Sequence, residues 1–166
     1  MKTIDKIAGN ITRQRQFCTF FIAQKLFGVN ITDVKEVRPF SKFTPVFHAS
    51  KQVKGFVNVR GQIHLVIDLR VLLGFESTEV DKLSRIVLFK SHVGESFGVL
   101  VDAISDVVET DETRIENMGN RKLESSDVGM RKFTDLMVGN CKLDDKILII
   151  LDSKRLIEKI QEKHLK

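Results

Sequence analysis

One block of this chain occurs twice, and that repeat limits the folds open to it. Gly55 to Asp68 spans 13 positions, as does Gly139 to Asp152. At a constant offset of 84, Val59 falls on Leu143, Ile63 on Ile147, Leu65 on Ile149, Val66 on Ile150 and Ile67 on Leu151. Asp68 then falls on Asp152, Arg70 on Lys154 and Leu72 on Leu156. Both copies read as strand, tight turn, apolar strand, Asp cap and helix. A weaker echo lies upstream, where Phe27-Gly28-Val29 leads to Asp33-Val34-Lys35-Glu36. Phe97-Gly98-Val99 leads in the same way to Asp106-Val107-Val108-Glu109, three residues later. Each half therefore holds the same small β-unit. Closing a sheet on itself removes its unpaired edges, so the simplest outcome is two similar β-barrels side by side.

Local patterns agree with an all-β chain. Residues 16–24, 25–31, 53–59, 62–69, 85–91, 96–102 and 146–152 are β-branched or aromatic runs bounded by turn residues. Val57 and Val59 can face inward while Asn58 and Arg60 face out. Helix signals are few. Asp68 can cap a short turn that Gly74 ends. Asp152 can cap a longer C-terminal helix with Leu156, Ile157 and Ile160 along one face. Residues 112–135 are polar and read as a long loop with one short helical turn.

Charge argues against a phosphate-binding face. The net charge is +5, but residues 1–16 carry four Lys/Arg against one Asp, and 153–166 carry five against two Glu. The remaining 136 residues hold 18 basic and 19 acidic groups, a net −1. A nucleic-acid footprint should lie across the folded body rather than at its ends. The stretch KGFVNV begins like an RNA-recognition strand, yet its second aromatic position is Asn58 and its last is Gly61, so at most one stacking ring remains. Single-stranded nucleic-acid binding by a β-barrel is the alternative reading.

Catalytic and metal motifs are missing from the sequence. His48, His64, His92 and His164 are scattered, with no HxxxH or Cys/His spacing for zinc. There is no GxSxG, GxxxxGK[ST] or GxGxxG. The acidic run 106–116 lacks the spacing and Gly of a calcium loop. Cys18 and Cys141 belong to no CxxC pair, and the opening residues lack a secretory signal, so both are expected as reduced buried thiols. No apolar run approaches the ~20 residues that cross a bilayer. The expectation is a cytoplasmic protein with no enzyme activity, cofactor or metal.

Arg60 stands out. The turn is Arg60-Gly61, in which Gly61 supplies the positive φ of a two-residue connection. The corresponding turn of the second copy is Asp144-Asp145, so the β-unit itself does not demand Arg. That leaves a forked donor free for a partner's carboxylate or carbonyl.

These residues carry a resemblance. KGFVNVRGQIHLVIDLRVLLGF, residues 54–75, is similar to the signature of the bacterial chemotaxis coupling family, CheW: K-G, two hydrophobics, N-L-R-G, an apolar strand, D-L-R and a short helix. FGVNITDVKEVR (27–38), FGVLVDAISDVVE (97–109) and VGNCKLDDKILIILD (138–152) resemble the family in the same order. The match runs from about residue 16 to 158. Three departures are that Ile63-His64-Leu65 lacks the proline often found after the R-G turn, that residues 40–50 differ from the usual pattern, and that the loop at 112–135 is poorly matched.

The resemblance implies two five-stranded SH3-like barrels side by side, with short helices and a C-terminal helix. It implies a single domain over 1–166, with one lobe near 17–35 plus 85–150 and the other near 36–84. It implies a non-enzymatic adaptor that bridges a chemoreceptor's cytoplasmic tip to the regulatory domain of the histidine kinase CheA, recruited to membrane-associated receptor arrays without entering the membrane. Val34, Glu36, Gly55 and Arg60 match family positions implicated in receptor contact. Ile86, Val87 and Val107 match positions on or beside a groove between the barrels, where receptor or kinase contact is assigned. On this reading a receptor helix packs into a groove lined by Val34 and Val87, with Arg60 and Glu36 at its rim.

Overall fold

A computed structural model describes residues 13–40, 42–117 and 134–164. The first hairpin joins β1 (Gln14–Ile22) to β2 (Lys25–Asn30). A 3-10 turn follows, capped by Asn30, whose Oδ1 accepts from the Thr32 amide at 3.0 Å, and then β3 (Val34–Pro39). The second hairpin, β4 (Val53–Val59) and β5 (Gln62–Asp68), runs into a one-turn helix α1 (Leu69–Leu72). The same order recurs in the second half. Hairpin β6 (Arg85–Phe89) and β7 (Phe97–Val101) leads to β8 (Ala103–Ile104), β9 (Val108–Asp111) and β10 (Ile115–Asn117). Hairpin β11 (Met137–Lys142) and β12 (Ile147–Leu151) then runs into α2 (Ser153–His164).

The strands form two sheets. One has the order β10-β11-β12-β2-β1-β8, with β9 also on β1; the other is β3-β6-β7-β5-β4. Each sheet draws on both halves of the repeat. β3 leaves the first hairpin to pair with β6, while β8 and β9 leave the β6–β7 hairpin to pair with β1. This exchange corrects the expected lobe division: residues 85–101 join the sheet of β3, β4 and β5, not that of residues 17–35. Without β6 and β7 between them, β3 would have no neighbour to pair with and β5 would keep only β4.

The repeat survives in atomic detail. Gly55 and Gly139 each sit at a register shift, and a Cβ would come within 2.5 Å of Thr44 O at the first and 2.6 Å of Glu116 O at the second. Glycine is needed because another backbone crosses at that point, through the Thr44–Phe56 bridge in one half and β10 in the other. Asp68 Oδ1 accepts from the Arg70 amide at 3.1 Å, and Asp152 Oδ1 from the Lys154 amide at 3.0 Å. Both aspartates are N-caps, as their spacing predicts.

Apolar side chains fall into three cores. The largest lies between the sheets and combines Phe20, Phe27, Ile149 and Leu151 of one with Ile67, Val87, Phe97 and Val99 of the other. Leu156 and Ile160 of α2 join it. Val57, Val59, Val66, Ile86, Leu88 and Leu100 fill the smaller sheet's own core, and Phe17, Leu26, Cys141, Leu148 and Ile150 that of the larger. Alternation along a strand divides residues between cores: Ile86 and Leu88 point one way, Val87 and Phe89 the other. The central strands are therefore apolar at nearly every position, because both of their faces are covered.

Candidate partner-binding site

The β4–β5 turn carries Arg60 at φ +53° and Gly61 at φ +84°. Positive φ at both central residues is the type I′ pattern, whose twist matches a hairpin's. The sequence reading gave positive φ to Gly61 alone; the structure puts Arg60 in the left-handed region as well. Asn58 Oδ1 accepts from the Gly61 amide at 2.8 Å and braces the turn. The second copy differs, because there the Leu143 amide donates to Lys146 O at 2.8 Å across a longer connection.

Arg60 is 72% exposed, but it is not free. Its Nη1 donates to Glu36 Oε1 at 3.0 Å, and Arg38 Nη1 lies 3.5 Å from Glu36 Oε2. Glu36 is only 21% exposed. Two arginines therefore hold one carboxylate at the edge of the sheet, and this corrects the expectation that the Arg60 fork waits unpaired. Its remaining nitrogens still face solvent.

The other predicted positions divide by accessibility. Val34, at the start of β3, is half-buried against the inter-sheet core. Gly55 is buried beneath the segment that carries Thr44, where it sets the path of the backbone and touches no outside surface. Ile86 and Val87 are buried in two different cores at 1% and 0% exposure. Their side chains offer nothing to a partner directly, and the expected groove lined by Val34 and Val87 is filled by the protein's own residues. Val107, in contrast, is 58% exposed beside β9.

One surface feature was overlooked in the sequence. Residues 35–60 hold six basic groups (Lys35, Arg38, Lys42, Lys51, Lys54, Arg60) against Glu36 alone. Phe40, Phe47 and Phe56 are exposed in the same stretch, and Phe40 stands edge-on to Phe43 with centroids 5.1 Å apart. Residues 102–116 are the counterpart, with six acidic groups against Arg114 and with Ile104 and Val107 exposed. The body's net charge is near zero because these two runs offset each other.

Comparison with known proteins decides the family. The model of the CheW-like domain matches residues 16–161. The chain belongs to the CheW-like domain family. Among relatives, the chemotaxis protein CheW of Klebsiella aerogenes is 26% identical over 95% of this chain and 89% of its own length. The Bacillus subtilis protein of the same name is 26% identical over 92% and 93%. The crystal structure of the scaffolding protein TtCheW from Thermoanaerobacter tengcongensis superposes with a TM-score of 0.74 at 30% identity, covering 88% of this chain and 94% of that one. As a member of the CheW-like family, this chain is a chemotaxis coupling adaptor and not an enzyme. None of these comparisons supports the nucleic-acid alternative. Among the described residues, no helix is long and apolar enough to cross a membrane.

Proposed function

We propose that this adaptor couples the cytoplasmic tip of a chemoreceptor to the regulatory domain of the histidine kinase CheA within membrane-associated arrays. The receptor contacts the outer surface around Arg60, Glu36 and the exposed part of Val34. Gly55 shapes that surface from beneath, and Ile86 and Val87 act only by holding β6 in place. The observation that carries this reading is the Arg60–Glu36 pair, displayed on a turn that the repeat copy does not reproduce.

Charge supports a head-to-tail contact with the kinase's regulatory domain, which is expected to resemble this chain. The basic run within residues 35–60 suits an acidic surface, and the acidic run of residues 102–116, which holds the exposed Val107, suits a basic one. Two unlike faces generate an extended or ring-like assembly instead of a closed dimer. Many such contacts in an array add avidity to each one. The test is binding of a receptor cytoplasmic fragment and a kinase regulatory domain to immobilised adaptor. Arg60→Glu should remove the receptor fragment and Val107→Asp the kinase domain. Retention of both partners by both variants overturns the assignment.

A further inference from the structure

The two faces of β1 serve different cores. Cys18, Phe20 and Ile22 point between the sheets, whereas Phe17 fills the larger sheet's own core. By alternation Gln14 and Gln16 continue the face of Cys18, and both are exposed. Their cross-strand partners Asp111 and Glu109 lie on the same side, as does Ile104, which stands opposite Phe20. The covered face of β1 therefore runs out at its start. An open cavity of about 300 Å³ lies there, with Arg13, Gln14, Gln16, Ile31 and Glu109 around it.

This end of the sheet is both apolar and acidic. Ile104 and Val107 are exposed beside the cavity strand β9, and Ile31 is half-buried in the cavity wall. Asp106, Glu109 and Glu112 are exposed in the same stretch, and no basic residue falls between positions 102 and 113. On the facing strand, the Arg15 guanidinium is already stacked over Phe17, 5.2 Å from the ring centroid.

The chain itself supplies a matching segment at this point. The Arg13 carbonyl accepts from the Glu112 amide at 2.8 Å, so residues 1–12 are tethered beside the acidic run. In that segment Ile4, Ile7, Ala8 and Ile11 recur at the spacing of one helical face, with Lys2 and Lys6 off that face and Asp5 as the one acid. As a helix, residues 4–11 would be about 12 Å long. The four residues of β9 span about 13 Å, so a segment that reverses before Arg13 reaches Val107.

We propose that residues 1–12 fold back over this face as an amphipathic arm. Ile4, Ile7 and Ile11 pack on Ile31, Ile104 and Val107, and Lys2 and Lys6 lie in the field of Asp106, Glu109 and Glu112. The arm then occupies the surface that the proposed function gives to the kinase regulatory domain. Its role as a built-in competitor rests on that reading, whereas its docking does not.

The test uses the full chain with pairs of introduced cysteines. Ile7→Cys with Val107→Cys should form an intramolecular disulfide under mild oxidation at least tenfold faster than Ile7→Cys with Ile147→Cys. Ile147 is 52% exposed but lies beside the β1–β2 turn, at the opposite end of β1 from Gln14. A second variant, Ile4→Ser with Ile7→Ser and Ile11→Ser, should move the backbone amide resonances of residues 104–112 and leave those of the β4–β5 hairpin in place. Equal rates at the two cysteine pairs, unmoved 104–112 resonances, or a cross-link that forms only between chains as concentration rises overturns the proposal; the last result assigns the face to a second copy. The serine variant should also bind the kinase regulatory domain at least threefold more tightly. A fast Ile7–Val107 cross-link with unchanged kinase affinity supports the docked arm and removes the kinase from this face, so the two readings fail separately.

Discussion

Arg60 Nη1 donates to Glu36 Oε1 at 3.0 Å and so joins the β4–β5 turn to β3, the two opposite edges of one five-stranded sheet. A pair this exposed adds only ~0–1 kcal/mol to stability. Arg60→Ala should therefore change unfolding free energy by about 0.5 kcal/mol while weakening receptor-fragment binding at least tenfold. Arg60→Gly separates side chain from backbone. Glycine occupies φ +53° without strain, so this variant should equal or exceed Arg60→Ala in stability, by up to about 1 kcal/mol, with the same loss of binding. Urea denaturation beside a binding titration measures both, and a loss above about 2 kcal/mol in Arg60→Ala would make the bridge structural.

Gly55 and Gly139 perform one task in two places, which can be measured. Alanine at either position drives a methyl group into a carbonyl oxygen, at 2.5 Å and 2.6 Å respectively. Both variants should lose about 2 kcal/mol or more, because the obstacle is backbone and cannot rotate away. Gly55→Ala should be the worse of the two, since Gly55 also has φ +147° whereas Gly139 lies outside the positive-φ region. Equal denaturation midpoints for Gly55→Ala and the parent would refute the crowding.

How much of this was legible in the sequence depends on whether the information is local. The central strands could be read because both faces are buried and the apolar run is unbroken, as in IVLF at 86–89. β3 escaped because VKEVRP lies at a sheet edge and alternates between half-buried and exposed. β9 and β10 are short and polar for the same reason. The strand exchange could not be read at all. A hairpin reveals its own partner through its turn, but nothing near β6 names β3, some 46 positions upstream, as its other neighbour. At the site, the Arg60 turn was visible and its ion-pair partner Glu36 was not. The burial of Ile86 and Val87 follows from alternation between two cores, which appears only once the sheets are assembled.

The cysteines offer a check on packing. Cys18 and Cys141 are buried free thiols on different strands, and burial pushes the Cys18 thiol above its ordinary pKa. The thiolate is the reactive form, so native protein at pH 8 should react with a thiol-specific disulfide reagent far more slowly than unfolded protein, which should release two equivalents. Fast native labelling of Cys18 would mean that β1 opens readily.

Asp102 ties the two sheets together at a point outside every hydrophobic core. Its Oδ2 accepts from the Ala23 amide at 2.9 Å, in the β1–β2 turn, and from Arg70 Nη1 in α1. Arg70 also donates from Nε to Glu76 O at 2.8 Å. Ala23 and Gln24 have φ +50° and +66°, so that turn holds a costly backbone shape with an acceptor waiting at its amide. Arg70 is the arginine of the D-L-R stretch, and its place in this bridge makes it a residue of the fold. Asp102→Ala strands both a backbone donor and a guanidinium that is only 18% exposed, and should cost ~1–3 kcal/mol. Asp102→Asn keeps one acceptor for Ala23 and should cost less. In a double-mutant cycle, Arg70→Ala should add little once Asp102 is gone, because the two share one interaction. Additive losses in urea denaturation would show that each residue acts alone and that the sheets are joined by the apolar core without this bridge.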